Sequence, residues 1–317
     1  MLSLSDIENA AAVVYAAMAP TAQYAWPLLA QRTGCETWVK HENHTPIGAF
    51  KVRGGLVYMD RLKRRDPGVR GVASATRGNH GQSIALAAAR AGIAATIVVP
   101  AGNSVEKNAA MRAFGAELIE AGHDFDAARE AAVRLAGERG LVMVPSFHRD
   151  LVAGVASYAL ELFRAAPPLD TVYVPIGLGS GLCGTIAARD ALGLTTKVVG
   201  VVSTGAPAYA LSFAAGKVVA TNSADTMADG MAVRGPDAEA LDAILKGCDR
   251  IVQVSDGEIM EAMRAYYTDT HQVTEGAGAA SLAALMQERD RMTGKTVGLI
   301  LSGGNIDKHL YLRALGG

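Results

Sequence analysis

Cysteine is scarce. The 317-residue chain has three, Cys35, Cys183 and Cys248, with no paired spacing. That set excludes a disulfide framework or a cysteine-pair zinc site, and it fits a reducing compartment. Net charge is almost absent, since 30 lysines and arginines stand against 31 acids and leave −1. Without a basic field to neutralise phosphates, nucleic acid is not expected as a partner. No uninterrupted apolar run reaches the length of a bilayer span, so no membrane segment is expected. The N-terminal stretch lacks the basic start of a secretory signal. Ser5 and Glu8 instead have capping-box spacing ahead of an apolar helix. The expectation is a soluble cytoplasmic protein.

Half of the residues are hydrophobic, glycines number 35 and aromatics make up only 5%. The length suffices for one large domain or two unequal ones. Short β-branched runs alternate with Ala-rich stretches. Strands are predicted over 71–75, 94–100, 116–121, 141–147, 170–177, 196–203, 250–255 and 295–304, each beside helical sequence. Nearly continuous apolar strands in strand–helix order predict parallel sheets covered on both faces, the α/β class. The run from 72 to 150 reads as a small inserted domain, with 1–71 and 151–317 forming the large one.

Four stretches carry candidate chemistry. In "HENHTPIGAFKVRGG", Lys51 follows Phe50 amid turn formers and small residues, an unusual place for a solvated lysine. In "YVPIGLGSGLCG" a strand is predicted to end at Ile176 and a helix to start near Leu182. Gly177, Leu178, Gly179, Ser180 and Gly181 lie between them. Such glycines let the backbone approach an anion, and the helix start offers free N–H groups, which together make a phosphate cradle. A dinucleotide fingerprint is excluded. Its third glycine position is Leu182, and the next strand ends in Val202, Ser203 and Thr204 without an acid. In "SATRGNHGQS", Thr76, Arg77, Asn79 and His80 sit between a strand end and a helix start, which suits a carboxylate, although a polar helix cap would use similar residues. "LILSGGN" places Ser302 at a strand's carboxyl end, and "VTEGAGAA" places Glu275 before a small-residue helix. An amine, a phosphate cradle and a strand-end hydroxyl together point to pyridoxal 5′-phosphate (PLP).

The ordered motifs "HTPIGAFKVRGG", "SATRGNHGQS", "GLGSGLCG", "EGAGAA" and "SGGN" resemble the threonine/serine dehydratase and serine racemase family, fold type II PLP enzymes. The likeness runs from about residue 35 to 305. It implies a large PLP-binding domain, a smaller mobile α/β domain that closes over substrate, and a homodimer. It implies Lys51 as the Schiff-base lysine and Phe50 packed against the pyridine ring. Asn79 would contact the ring hydroxyl, Gly177 to Gly181 the phosphate, and Ser302 the pyridine nitrogen, with Glu275 also beside the cofactor. Ser74, Thr76, Arg77, Asn79 and His80 would form the substrate-binding loop. The implied reaction is loss of the β-hydroxyl and the amine from a β-hydroxy-α-amino acid, with Lys51 taking the Cα proton. Threonine, serine, 3-phenylserine and 3-hydroxyaspartate all remain open as substrates.

Three departures qualify the resemblance. Many relatives bind a divalent cation with an acid after the strand that follows the phosphate loop. Here Ser203 stands at that place and no Asp or Glu occurs through Leu211, so no metal is expected. The chain ends soon after "SGGN", leaving no room for the regulatory domain of biosynthetic threonine dehydratases. Arg77 stands where racemase relatives carry a serine that works opposite the lysine, and arginine keeps its proton near neutral pH. Racemisation is therefore the alternative reading, with a non-catalytic PLP-binding protein as a third.

Overall fold

Ten strands form two sheets in the computed structural model, which describes residues 2–316. The larger sheet contains β1 (Gln23–Ala25), β2 (Glu36–His41), β7 (Thr171–Pro175), β8 (Lys197–Ser203), β9 (Arg250–Val254) and β10 (Thr296–Leu301), in the order β1-β2-β10-β7-β8-β9. The smaller contains β3 (Gly71–Ala75), β4 (Ala94–Val99), β5 (Glu117–Glu120) and β6 (Val142–Met143), in the order β5-β4-β3-β6. Every pairing is parallel except β1 with β2, so the larger sheet is mixed, where the sequence reading expected a parallel one.

The strands alternate between two apolar layers. Val172, Val174 and Val198 face a cluster with helices Leu4–Tyr15, Arg149–Ala165 and Ser180–Ala191. Tyr173, Val199 and Leu299 face another with helices Asp256–Thr270 and Gly276–Gln287. This two-sided burial is why the strands read as almost unbroken hydrophobic runs.

Local chemistry accounts for three differences from the sequence reading. The first helix is capped by Ser3 and Asp6, not by Ser5 and Glu8. Ser3 Oγ accepts from Asp6 N at 3.1 Å, and Ser3 N donates to Asp6 at 2.9 Å. The earlier start adds the Ile7 N–H to Ser3 carbonyl bond at 3.2 Å, while Glu8 pairs with Arg164 at 2.5 Å. The strand expected over 141–147 shrinks to Val142–Met143, because after Val144 N bonds Ala73 O the next residue, Pro145, has no N–H to continue the ladder. Strand β2 was not foreseen, because it ends in Lys40 and His41, both fully buried.

The parallel strands bring their carboxyl ends to one side. Ser302 follows β10, the glycine stretch follows β7, and the Thr76–His80 loop follows β3. Phe50 N donates to Ser302 O at 3.0 Å and Ala49 bridges to Gly303, which pins the start of helix Lys51–Arg65 against the end of β10.

Candidate active site

A cavity of about 1420 Å³ opens where these strand ends meet. Phe50, Lys51, Thr76, Arg77, Asn79, His80, Gly177 to Gly181, Glu275 and Ser302 all line it. Ser74 does not. It is fully buried within β3 and its hydroxyl donates to Val144 O at 3.1 Å, so it braces the small sheet instead of reaching a substrate.

The glycine stretch is shaped by close approach. A Cβ on Gly177 would stand 2.4 Å from Gly230 O. Gly179 has φ +99°, and a Cβ there would stand 2.9 Å from Ala240. The helix begins at Ser180, earlier than the sequence reading placed it, and N-cap Gly179 supplies no side chain to cap the first turn. The N–H groups of that turn and the helix dipole could therefore receive an anion. Tyr209 Oη donates to Leu178 O at 2.9 Å and Tyr158 Oη to Gly181 O at 2.8 Å, which hold the loop from behind.

Lys51 Nζ lies 3.2 Å from Ser180 Oγ, at the first residue of this helix. Burial, only partly offset by the charge of Glu275, pushes the Lys51 amine down to about 8. A lysine so placed reaches its neutral, nucleophilic form far more readily than a solvated one. The Phe50 ring centroid is 4.9 Å from the amine, and Tyr158 packs edge-on against the ring. Ser302 is buried and lines the cavity.

The β3 loop divides its labour. Thr76 Oγ1 accepts from Gly78 N at 2.9 Å and Gly81 N at 3.2 Å, which shapes the loop and leaves its proton free to donate. His80 is buried with Nε2 unpartnered. Burial and the Lys51 charge push it down to about 3, so it is neutral. Arg77 is exposed at the cavity and forms no ion pair among the described residues. Asn79 donates to Glu275 Oε1 at 2.7 Å and accepts from Asn305 Nδ2 at 2.8 Å.

A primary amine of lowered basicity beside an uncapped helix start, with an aromatic wall and a serine hydroxyl lining the cavity, fits PLP. It could bind the aldehyde at Lys51, the phosphate at Gly177 to Gly181 and the pyridine nitrogen at Ser302. Residues 14–303 match the family model described as pyridoxal-phosphate dependent enzyme. The chain belongs to that family. An L-threonine ammonia-lyase of Thermotoga maritima is 34% identical over 99% of this chain and 78% of its own length. An L-threo-3-hydroxyaspartate ammonia-lyase of Saccharomyces cerevisiae is 32% identical over 92% of this chain and 89% of its own. The crystal structure of a PLP-dependent aspartate racemase superposes with TM-score 0.92 at 29% identity, covering 97% of each chain.

For this PLP-dependent chain the segment from Ser203 to Leu211, where a cation ligand was sought, contains no Asp or Glu. Ser203 Oγ instead accepts from Gly205 N at 3.1 Å, closing a turn in which a Cβ on Gly205 would collide with Asp225 O. Hard divalent cations favour carboxylate oxygens. Exhaustive chelation is therefore expected to leave turnover and thermal stability unchanged. A loss restored by magnesium or calcium would place ligands outside this turn.

Lys107 and Asp229 also line the cavity and were missed in the sequence. Lys107 sits in "SVEKNAAM", which reads as an ordinary amphipathic helix start, and Asp229 in a loop without a motif. No local signal distinguishes either. Asp229 and Glu275 both belong to the larger unit, and the approach of the two sheets brings Lys107 to them.

Proposed function

We propose that this protein is a PLP-dependent ammonia-lyase that converts a β-hydroxy-α-amino acid into a 2-oxo acid and ammonia. The observation that carries the reading is the Lys51 amine, buried and 3.2 Å from Ser180 at the cradle's edge. When bound, PLP supplies an aldehyde that holds the substrate amine and a ring that takes up the electrons left at Cα. Lys51 would accept the Cα proton; its burial keeps the neutral form accessible. Thr76, Asn79 and the helix start at Asn79 hold the substrate α-carboxylate. Neutral His80 adds a polar contact without a competing charge. Ser302 would hold the pyridine nitrogen with a neutral hydroxyl, which would not force that nitrogen to carry a proton.

In the same reading residues 72–150 move as a small domain that closes over the substrate and excludes water. The reading also makes the protein a cytoplasmic homodimer, on the family resemblance and on three unpaired cysteines. Among the described residues no helix is long and apolar enough to cross a membrane.

A panel of serine, threonine, 3-phenylserine and 3-hydroxyaspartate, followed for 2-oxo acid and ammonia, tests the reaction. Chiral analysis of recovered substrate separates elimination from racemisation. Ammonia from none of the four would defeat the ammonia-lyase reading. Arg77 adds a specificity test. If its guanidinium reaches the substrate, Arg77→Ala removes a charge-assisted contact and costs about 30- to 1,000-fold in kcat/KM. A loss confined to 3-hydroxyaspartate assigns Arg77 to an acidic β-substituent. An equal loss across the panel assigns it to the α-carboxylate or to closure. Changes below about threefold for every substrate remove it from recognition.

A further inference from the structure

Five polar side chains link the two sheets beside the cavity. Lys107, on helix Val105–Ala113 of the smaller unit, is almost completely buried. Its Nζ lies 2.5 Å from Asp229 Oδ2 and 3.6 Å from Glu275 Oε2, both on the larger unit. Glu275 Oε1 takes the Asn79 amide, while Oε2 is buried with no hydrogen-bond donor. Asn79 is held in turn by Asn305. The lysine stem runs directly beneath the substrate loop, since a Cβ on Gly78 would stand 2.4 Å from Lys107 Cδ. On the other side, a Cβ on Gly303 would stand 2.5 Å from Glu275 Oε1. Glycines on both flanks leave room for the linkage.

A buried carboxylate with one unsatisfied oxygen persists only if a nearby cation offsets its desolvation. We infer that Lys107 is a positioning residue: its ammonium is the counter-charge that lets Glu275 serve Asn79 as a carboxylate acceptor, so seating the smaller unit also sets the charge behind Asn79. The inference rests on the functional reading for the part Asn79 plays in holding the substrate α-carboxylate, but the charge coupling itself does not depend on it.

The groups that face the cluster make a signed prediction possible. They are Lys107, Asp229, Lys51 from its own helix, neutral His80, and Asp307, whose charge acts on Lys107. Burial pushes Glu275 up to about 7, with Lys107 opposing and Asp229 reinforcing the rise. Removing the cation must therefore raise the Glu275 midpoint further. Removing Asp229 must lower it, because a like charge is lost and Lys107 is released toward Glu275.

The test is a pH titration of the holoenzyme by infrared difference spectroscopy of the protonated carboxyl band, with Glu275→Gln as the blank. Lys107→Met is expected to move the midpoint up by at least about one pH unit. Asp229→Asn should move it down, and Lys107→Arg should restore it. The acid limb of the kcat–pH profile should follow the same signs. General loosening of the fold would shift both charge-removing variants in the same direction. A midpoint unmoved by Lys107→Met, or shifts of one sign in Lys107→Met and Asp229→Asn, overturns the inference. If Lys107→Met does not fold, Lys107→Arg and Asp229→Asn still decide it: an unshifted or raised midpoint in Asp229→Asn overturns it. Failure to load PLP on Lys51 would count against the functional reading, while the Glu275 titration would still be read.

Discussion

Lys51→Ala is expected to lose turnover by more than about a thousandfold, because proton transfer alone contributes about 10²- to 10⁴-fold and the same amine also anchors the cofactor. The visible absorbance of lysine-bound PLP should vanish with it, even if PLP remains in the cavity. Lys51→Arg serves as the control: its charge is retained, but a guanidinium does not deprotonate near neutral pH, so activity should not return. Turnover by Lys51→Ala without added amine would remove Lys51 from the mechanism. A second signature appears in the apoprotein. With the folded amine lowered to about 8, the unfolded chain binds a proton that the folded chain lacks between that value and the ordinary lysine range. Apoprotein stability should therefore rise with pH across the window. Below it the buried charge costs on the order of 3 kcal/mol, a cost that Lys51→Met relieves. A flat pH dependence for both proteins would show that the amine is solvated.

Arg53→Ala is expected to destabilise the protein by about 3–5 kcal/mol, as loss of one partner from a buried ion cluster does. Arg53 lies two residues beyond Lys51 on the same helix and is fully buried. Its Nε donates to Glu42 Oε2 at 2.7 Å, and its Nη1 donates to Glu161 Oε1 at 2.6 Å and Ser157 Oγ at 2.9 Å. Nη2 donates at 2.9 Å to the remaining oxygens of both acids. Lys40 from β2 closes the group with Glu161 at 2.5 Å. Two cations thus satisfy two acids out of water, and the planar guanidinium fork engages both carboxylates in a way a single ammonium does not. Arg53→Lys should recover part of the loss at most. The measurement is denaturant unfolding of the apoprotein, with circular dichroism to confirm folding in water. A loss below about 1 kcal/mol would mean that the cluster is solvated, since exposed pairs contribute at that level. Because the cluster anchors the helix that begins at Lys51, turnover should fall together with stability.

The strand ends were legible because parallel strands buried on both faces leave long apolar runs punctuated by glycine and polar residues. Ser302, the 177–181 stretch and the 76–80 loop all sit at such punctuation. Strand β2 was hidden because Lys40 and His41 break the apolar pattern, and their burial depends on Glu161 and on Trp26, whose Nε1 donates to His41 Nε2 at 3.0 Å. The N-cap was misread because Ser3–Asp6 and Ser5–Glu8 share a spacing, and backbone hydrogen bonds choose between them. Ser74 looked like part of the substrate loop because it lies two residues before Thr76. Strand alternation puts its side chain against Val144 instead.

The sequence by itself determined the α/β class and the family, and it pointed to Lys51 and the 177–181 glycine stretch, since these depend on ordered local motifs whose chemistry is carried by adjacent residues. Tertiary structure alone decided the buried Arg53 cluster, the withdrawal of Ser74, and the meeting of Lys107, Asp229 and Glu275. Those arrangements join residues up to 168 positions apart, from Lys107 to Glu275. What they share is charge removed from water, and whether a charge is solvated or paired depends on distance in space, which residue spacing does not encode.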